Sequence, residues 1–170
     1  MANESKAADN GAATDSEQYL TFMLAGEEYG VDILRVQEIK GWDKVTRIPR
    51  TPEYVLGVIN LRGSVVPILD LRSRFGLDKI VFGPTTVIIV VKVAGRRGER
   101  TVGMVVDAVS DVYNVPVGAS KPPPDVCGSI DTVFVKALAT IADKLVILLD
   151  IDRLIDNSII EEPLSGAAAA

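Results

Sequence analysis

Histidine is absent from this chain of 170 residues, and with it go the commonest general base and the commonest metal ligand near neutral pH. Cysteine is nearly absent too. Cys127 stands alone, so no internal disulfide can form and the chain suits a reducing compartment. As a catalytic thiol Cys127 would lack a base, and a plain loop or partly buried thiol is expected instead. Long apolar runs are missing: Val87 to Val91 is far too short to span a bilayer, and no apolar segment of signal-peptide type follows Met1. Insertion into a membrane is therefore not expected, and a cytoplasmic protein is. An excess of basic charge is missing as well. With 18 Lys and Arg against 23 Asp and Glu, the net charge is −5, which leaves no stripe for a phosphate backbone and excludes nucleic acid as a partner.

What is present is apolar and strand-rich. A hydrophobic fraction of 48% supports one sizeable core or two small ones. Residues 1–17 are small, polar and aperiodic, and are expected to form a disordered tail; residues 161–170, ending in four alanines, are expected to form a second flexible tail. Between them, Tyr19 to Leu24 and Tyr29 to Ile33 suggest two strands joined at Gly26-Glu27-Glu28. Leu34 to Ile39 ("LRVQEI") switches to helical spacing, with Ile33, Val36 and Ile39 one turn apart, so a crossover helix is expected there in preference to a continued strand. Val55 to Leu61 and Val65 to Leu69 form a hairpin around Arg62-Gly63-Ser64, with Pro67 implying an edge or a bulge. Asp70 then opens "LRSRFG", a short helix capped by the aspartate and stopped by Gly76.

The pattern begins again at Thr85. Val87 to Val93, the turn "AGRRGER", Val102 to Val106 and the crossover segment "DAVSDVYNVP" lead to a stiff linker, Lys121 to Asp125. The strands Thr132 to Leu138 and Leu145 to Leu149 follow, and Asp150 caps "IDRLI". The two halves align element for element. "GVDILRVQEI", Gly30 to Ile39, lies over "GMVVDAVSDV", Gly103 to Val112; "VVPILDLRSRF", Val65 to Phe75, lies over "LVILLDIDRLI", Leu145 to Ile155. An all-β fold of two five-stranded barrels is expected, as subdomains of approximately 18–82 and 83–155 that share elements at the seam of one domain, 18–160.

Chemistry is sparse. Asp70 and Asp150 occupy equivalent places in the two halves, as the paired carboxylates of an aspartic hydrolase would; helix capping explains both without catalysis. Gly95 and Gly98 flank a strand-to-strand turn and form no phosphate loop, and Gly103 inside a strand implies a bulge or a close backbone approach. A small ligand held inside the double barrel would need an enclosed apolar cavity. Arg62 is the residue of most interest. At a hairpin tip its guanidinium can reach a partner's carboxylate or carbonyl, or pair internally with Glu38 or Asp32. Val36 and Ile39 are either plain core or an apolar strip at a groove, and Trp42 either anchors a partner or packs over a barrel end.

The stretch "EEYGVDILRVQEIKGWDKVTRIPRTPEYVLGVINLRGSVVPILDLRSRFG", with "TVGMVVDAVSDV" and "KLVILLDIDRLI", resembles the CheW-type chemotaxis coupling proteins over roughly Gln18 to Ile155. "GVINLRG" followed by "VPILDLR" is the specific signature. The resemblance implies SH3-like barrels and an adaptor without catalysis, cofactor or metal. It also implies two partners: the cytoplasmic hairpin tip of methyl-accepting chemoreceptors, and the regulatory domain of the CheA histidine kinase. Recruitment to membrane-associated receptor arrays would follow. Carried over by motif, the receptor-facing candidates are Ile33, Val36, Glu38 and Ile39 in the crossover, Gly57 and Arg62 around the hairpin, and Val105; the kinase-facing residues are not assigned.

Overall fold

A computed structural model describes residues 16–79, 81–95, 98–122 and 134–156. Among these residues the fold is all-β, with eleven strands in two sheets. Strands β1 (Ser16–Leu24), β2 (Glu27–Asp32), β8 (Ala108–Pro116), β9 (Ser120–Lys121), β10 (Val135–Ile141) and β11 (Lys144–Leu149) form one sheet in the order β8-β1-β2-β11-β10-β9. Strands β3 (Val36–Gly41), β4 (Val55–Leu61), β5 (Ser64–Asp70), β6 (Val87–Gly95) and β7 (Gly98–Val106) form the other, ordered β3-β6-β7-β5-β4. Helix α1 (Leu71–Arg74) follows β5 and helix α2 (Ile151–Asp156) follows β11.

The internal repeat is visible in this order. Reading across the sheets, β8, β1, β2, β11 and β10 correspond to β3, β6, β7, β5 and β4. The sixth strand, β9, pairs with Leu138 and Ala139 of β10; its counterpart is the isolated bridge of Thr46 to Val58 on β4. In both cases the chain leaving one edge strand runs on to pair with the opposite edge, so that each sheet curls toward closure and part of its edge is covered. One sheet therefore has six strands rather than the five expected, and the break near residue 83 does not separate the sheets: β1 and β2 join the strands of the second half, β6 and β7 those of the first. The N-terminal strand also begins earlier than expected, with Ser16 paired to Pro116.

The expected crossover helix is a strand. Only Ile33–Arg35 turn, as a 3-10 helix capped by the Asp32 carboxylate, which accepts from the Leu34 N–H. The helix-like spacing of Val36 and Ile39 has another cause. A register shift between Val36 and Glu38 adds a residue to β3, and such a bulge places residues three apart on one face. Val36 and Ile39 lie opposite Val91 and Ile89, both buried in the central core. The second half repeats the device: Val109 and Val112 lie opposite Phe22 and Leu20 across a register shift, and β8 is a strand throughout.

Pro67 lies neither on an edge nor at a bulge. Strand β5 is flanked by β4 and β7, but the parallel ladder with β7 begins only at Ile68, so a residue without an N–H is tolerated just before it. Gly103 marks a close approach, as expected: a Cβ there would stand 2.5 Å from Ile68 Cδ1 and 2.8 Å from Ile88 Cγ2.

Packing resolves into three clusters. The largest fills the seam between the sheets, drawing Phe22, Tyr29, Leu69, Ile89, Met104 and Leu149 together with Leu71 and Leu154 of the helices. Two smaller clusters fill the far side of each sheet, one around Ile59, Ile68, Ile88 and Val90, the other around Tyr19, Val115 and Leu148. Trp42 packs against Phe82 with the rings tilted at 58° and their centroids 4.4 Å apart, over the first of these. Cys127, most of the Lys121 to Asp125 linker, and both expected tails apart from residues 16 and 17 lie outside the described residues.

Candidate interaction surface

The hairpin tip between β4 and β5 is a two-residue turn with positive φ at Arg62 (51°) and Gly63 (88°). Such turns match the right-handed twist of the flanking strands. The left-handed conformation costs a non-glycine residue on the order of 1–2 kcal/mol, so Arg62 occupies this place at some expense. Asn60 helps hold it, its side-chain carbonyl accepting from the Gly63 N–H at 2.9 Å.

From this tip the Arg62 guanidinium donates to Glu38 Oε1 at 2.6 Å. Glu38 lies on β3, at the opposite edge of the same sheet, so the ion pair spans the line along which the sheet closes. Arg62's side chain remains 75% exposed against 25% for Glu38, which leaves most of its donors open to a second acceptor. The pair forms the internal contact that the sequence allowed with Glu38, and it points outward.

The other candidates divide into two groups. Ile33 and Val36 are half-buried against the central core, and Ile39 beside them is 44% exposed. These three form an apolar strip along the 3-10 turn and β3, with the exposed Leu34 at its end. Gly57 and Val105 are interior. Val105 is 2% exposed among Ile88, Val90 and Ile59, so as an interior residue it cannot itself touch a partner. Gly57, at φ 148°, admits the crossing chain, for a Cβ there would meet Thr46 O at 2.1 Å. The resemblance turns both toward a receptor; the structure places Val105 in the cluster around Ile59, Ile68 and Ile88, on the other face of the sheet from Val36 and Ile39, and Gly57 beneath the Thr46 chain.

Asp70 and Asp150 cap their own helices. Asp70 accepts from the Arg72 N–H and Asp150 from the Arg153 N–H, each at 3.1 Å. Their own N–H groups donate to Tyr54 O at 2.7 Å and Phe134 O at 2.9 Å, equivalent partners under the repeat. Burial pushes the Asp70 carboxyl above its usual range, partly offset by the helix amides and Arg72. Beside Asp70, an open cleft of about 520 Å³ is lined by Arg47, Arg50, Thr51, Glu53 and Lys79 among others. It is a polar surface, unlike the enclosed apolar cavity a small-ligand barrel would need.

Of the ion pairs among the described residues that the sequence did not suggest, two are bidentate. Arg72 donates from Nε and Nη2 to Asp107 at 2.8 and 2.7 Å, and Arg35 donates from Nη1 and Nη2 to Asp152 at 2.9 and 2.6 Å. Burial alone would raise Asp107, but the Arg72 guanidinium and the Ala25 N–H hold its carboxyl below the usual range. A sequence offers no sign of partners so far apart along the chain, except that Arg72 and Asp152 align in the repeat with opposite charge.

The CheW-like domain family matches residues 18–158. The chain is similar to the chemotaxis protein CheW of Klebsiella aerogenes, 42% identical over 144 residues that cover 85% of this chain and 84% of that protein. It is similar to the chemotaxis protein CheW of Rhizobium meliloti, 36% identical over 152 residues, 89% of this chain and 93% of the other. Among solved structures it resembles the scaffolding protein TtCheW from Thermoanaerobacter tengcongensis, with a TM-score of 0.73 and 38% identity over 81% of this chain and 86% of that one.

Proposed function

Because the chain belongs to the CheW-like domain family, whose members are chemotaxis scaffolds and not enzymes, we propose that it links chemoreceptors to a CheA-type histidine kinase. On this reading it binds the cytoplasmic hairpin tip of methyl-accepting receptors on one surface and the regulatory domain of the kinase on another, so that receptor state sets kinase activity. It carries no chemistry of its own and would reach the membrane only through the receptors; among the described residues no helix is long and apolar enough to cross one.

The observation that carries the receptor half of the proposal is the outward-facing Arg62–Glu38 pair, whose Glu38 lies on β3, the same edge strand that carries Val36 and Ile39 of the apolar strip. An amphipathic helix docks by laying its apolar face on such a strip, and charged groups at the rim set its direction. Gly57 and Val105 contribute from inside by fixing β4 and β7. A pull-down from detergent-solubilised whole cells with wild-type and Arg62→Glu baits tests this. A histidine kinase and receptors are expected with the wild type, and the kinase without the receptors on the variant; equal receptor recovery on both baits would remove Arg62 from the contact.

A further inference from the structure

Neither half of the chain completes a sheet by itself. Within the first half β1 pairs only with β2, and β4 with β5; within the second, β6 pairs with β7, and β10 with β9 and β11. All four remaining strand pairings, β1 with β8, β2 with β11, β3 with β6 and β5 with β7, join one half to the other. The halves are interleaved as two exchanged copies of one unit would be, and residues 75–86 between α1 and β6 are their sole covalent connection.

Among the described residues three ion pairs cross the same boundary; in the two bidentate ones the guanidinium belongs to the first half, Arg72 to Asp107 and Arg35 to Asp152, whereas the longer, more exposed Lys136–Glu17 pair has its cation on the second half. Under the repeat Arg72 aligns with Asp152, and Asp107 aligns with Leu34, one residue before Arg35. The two bridges thus occupy equivalent places with their charges reversed. Two first halves assembled in this arrangement would set Arg72 against Arg35, and two second halves would set Asp152 against Asp107. The Arg72 and Asp107 side chains are only 12% and 21% exposed, so water and salt would relieve such repulsion poorly.

We propose that these reversed bridges make the halves mutually selective, so that a first half accepts a second half from its own chain or from a second copy and rejects another first half. The partner of this surface is a second copy of the same chain, joined as a strand-exchanged dimer through residues 75–86. In the intact chain the internal partner wins because the connection holds it at high effective concentration. Exchange becomes dominant once the internal match is spoiled and an external one restored.

Full-length variants test this. In Arg35→Asp/Arg72→Asp all four bridge positions are acidic, and in Asp107→Arg/Asp152→Arg all four are basic. Each alone should lose about 10 °C or more of Tm. Unfolded and refolded together, they should form a 1:1 dimer, its mass read by light scattering and its composition by native mass spectrometry, with Tm largely restored. The chain carrying all four changes should fold as a monomer with a Tm clearly above that of either singly inverted chain but below the parental value, because Asp107 and Asp152 also accept from the Ala25 and Ala94 N–H groups, which an arginine cannot do; the recovery separates charge matching from simple damage. Monomers alone from the mixture would overturn the proposal. So would parental stability of either singly inverted chain, or a fully inverted chain as unstable as they are.

Discussion

The hairpin between β4 and β5 and the hairpin between β10 and β11 share one backbone and differ in what they carry. Their turns have φ of 51° and 88° at Arg62 and Gly63, and 50° and 64° at Ala142 and Asp143. Their following strands expose equivalent apolar residues, Val65 at 67% and Leu145 at 58%. Yet Arg62 reaches across the closing line of its sheet to Glu38, whereas Ala142 has no side chain that can reach Asp111, the residue aligned with Glu38. Duplication accounts for the frame of both barrels. Under the proposed function, recognition belongs to the places where the duplicate departs from its twin.

The largest departure in energy lies behind the first hairpin. Gly57 and Ala137 follow equivalent register shifts, after Val55 and Val135, and each lies beside a crossing stretch of chain, Thr46 at Val58 and β9 at Leu138, but the first half meets its crossing chain with a glycine, where a Cβ would stand 2.1 Å from Thr46 O. Gly57→Ala, which merely copies the second half, should cost more than about 3 kcal/mol in chemical denaturation, through the clash with Thr46 O and a φ unfavourable to any side chain. A loss under about 1 kcal/mol would mean that the crossing chain yields easily.

The reversed ion pairs give the next largest contrast. Arg72→Ala strands Asp107 in a mostly buried place and should cost about 3 kcal/mol. Arg35→Ala, at a pair 35% and 31% exposed, should cost about 1 kcal/mol. Equal costs would show that the two bridges are not graded by burial.

A smaller effect is expected in acid. The folded state lowers the pKa of Asp107, so the unfolded chain binds that proton more readily. The contribution of Asp107 is therefore complete at neutral pH, above the unfolded pKa, and is lost as pH falls from the usual carboxylate range through the folded value. Asp70, whose pKa the fold raises, works in the opposite sense: its charge costs stability at neutral pH, and protonation on acidification relieves that cost. Asp107→Asn should flatten the acid limb of a stability–pH profile, and Asp70→Asn should steepen it. Parallel profiles for the two variants would contradict the assignment.

How much of this was legible in the sequence follows from where each signal resides. Local signals read well: the capping aspartates, the stop at Gly76, the hairpin at Arg62-Gly63 and the repeat itself are written in neighbouring residues. The segment from Val36 to Ile39 misled because a bulge copies the three-residue spacing of a helix turn. The exchange of β1 and β2 for β6 and β7 is invisible along the chain, since a repeat shows that two units match and not which one lends strands to which. Gly57 and Val105 carry the family's pattern but lie inside, and only three-dimensional packing reveals that. The Arg35 and Arg72 bridges depend on contacts between distant residues, for which the charge reversal at Arg72 and Asp152 was the lone clue.

Titration of a soluble chemoreceptor hairpin onto two variants, Arg62→Glu and Asp143→Arg, tests most directly whether recognition belongs to the first hairpin. Both changes lie in exposed turns and should leave the chain folded; Arg62→Glu, which sets a second carboxylate against Glu38, should cost about 1 kcal/mol of stability, and Asp143→Arg about 0.5 kcal/mol. Arg62→Glu should weaken receptor binding by roughly 1–3 kcal/mol, and Asp143→Arg should bind as the parent does. Equal loss in both variants, or undiminished binding by Arg62→Glu, would contradict the assignment of the receptor contact to the first half alone.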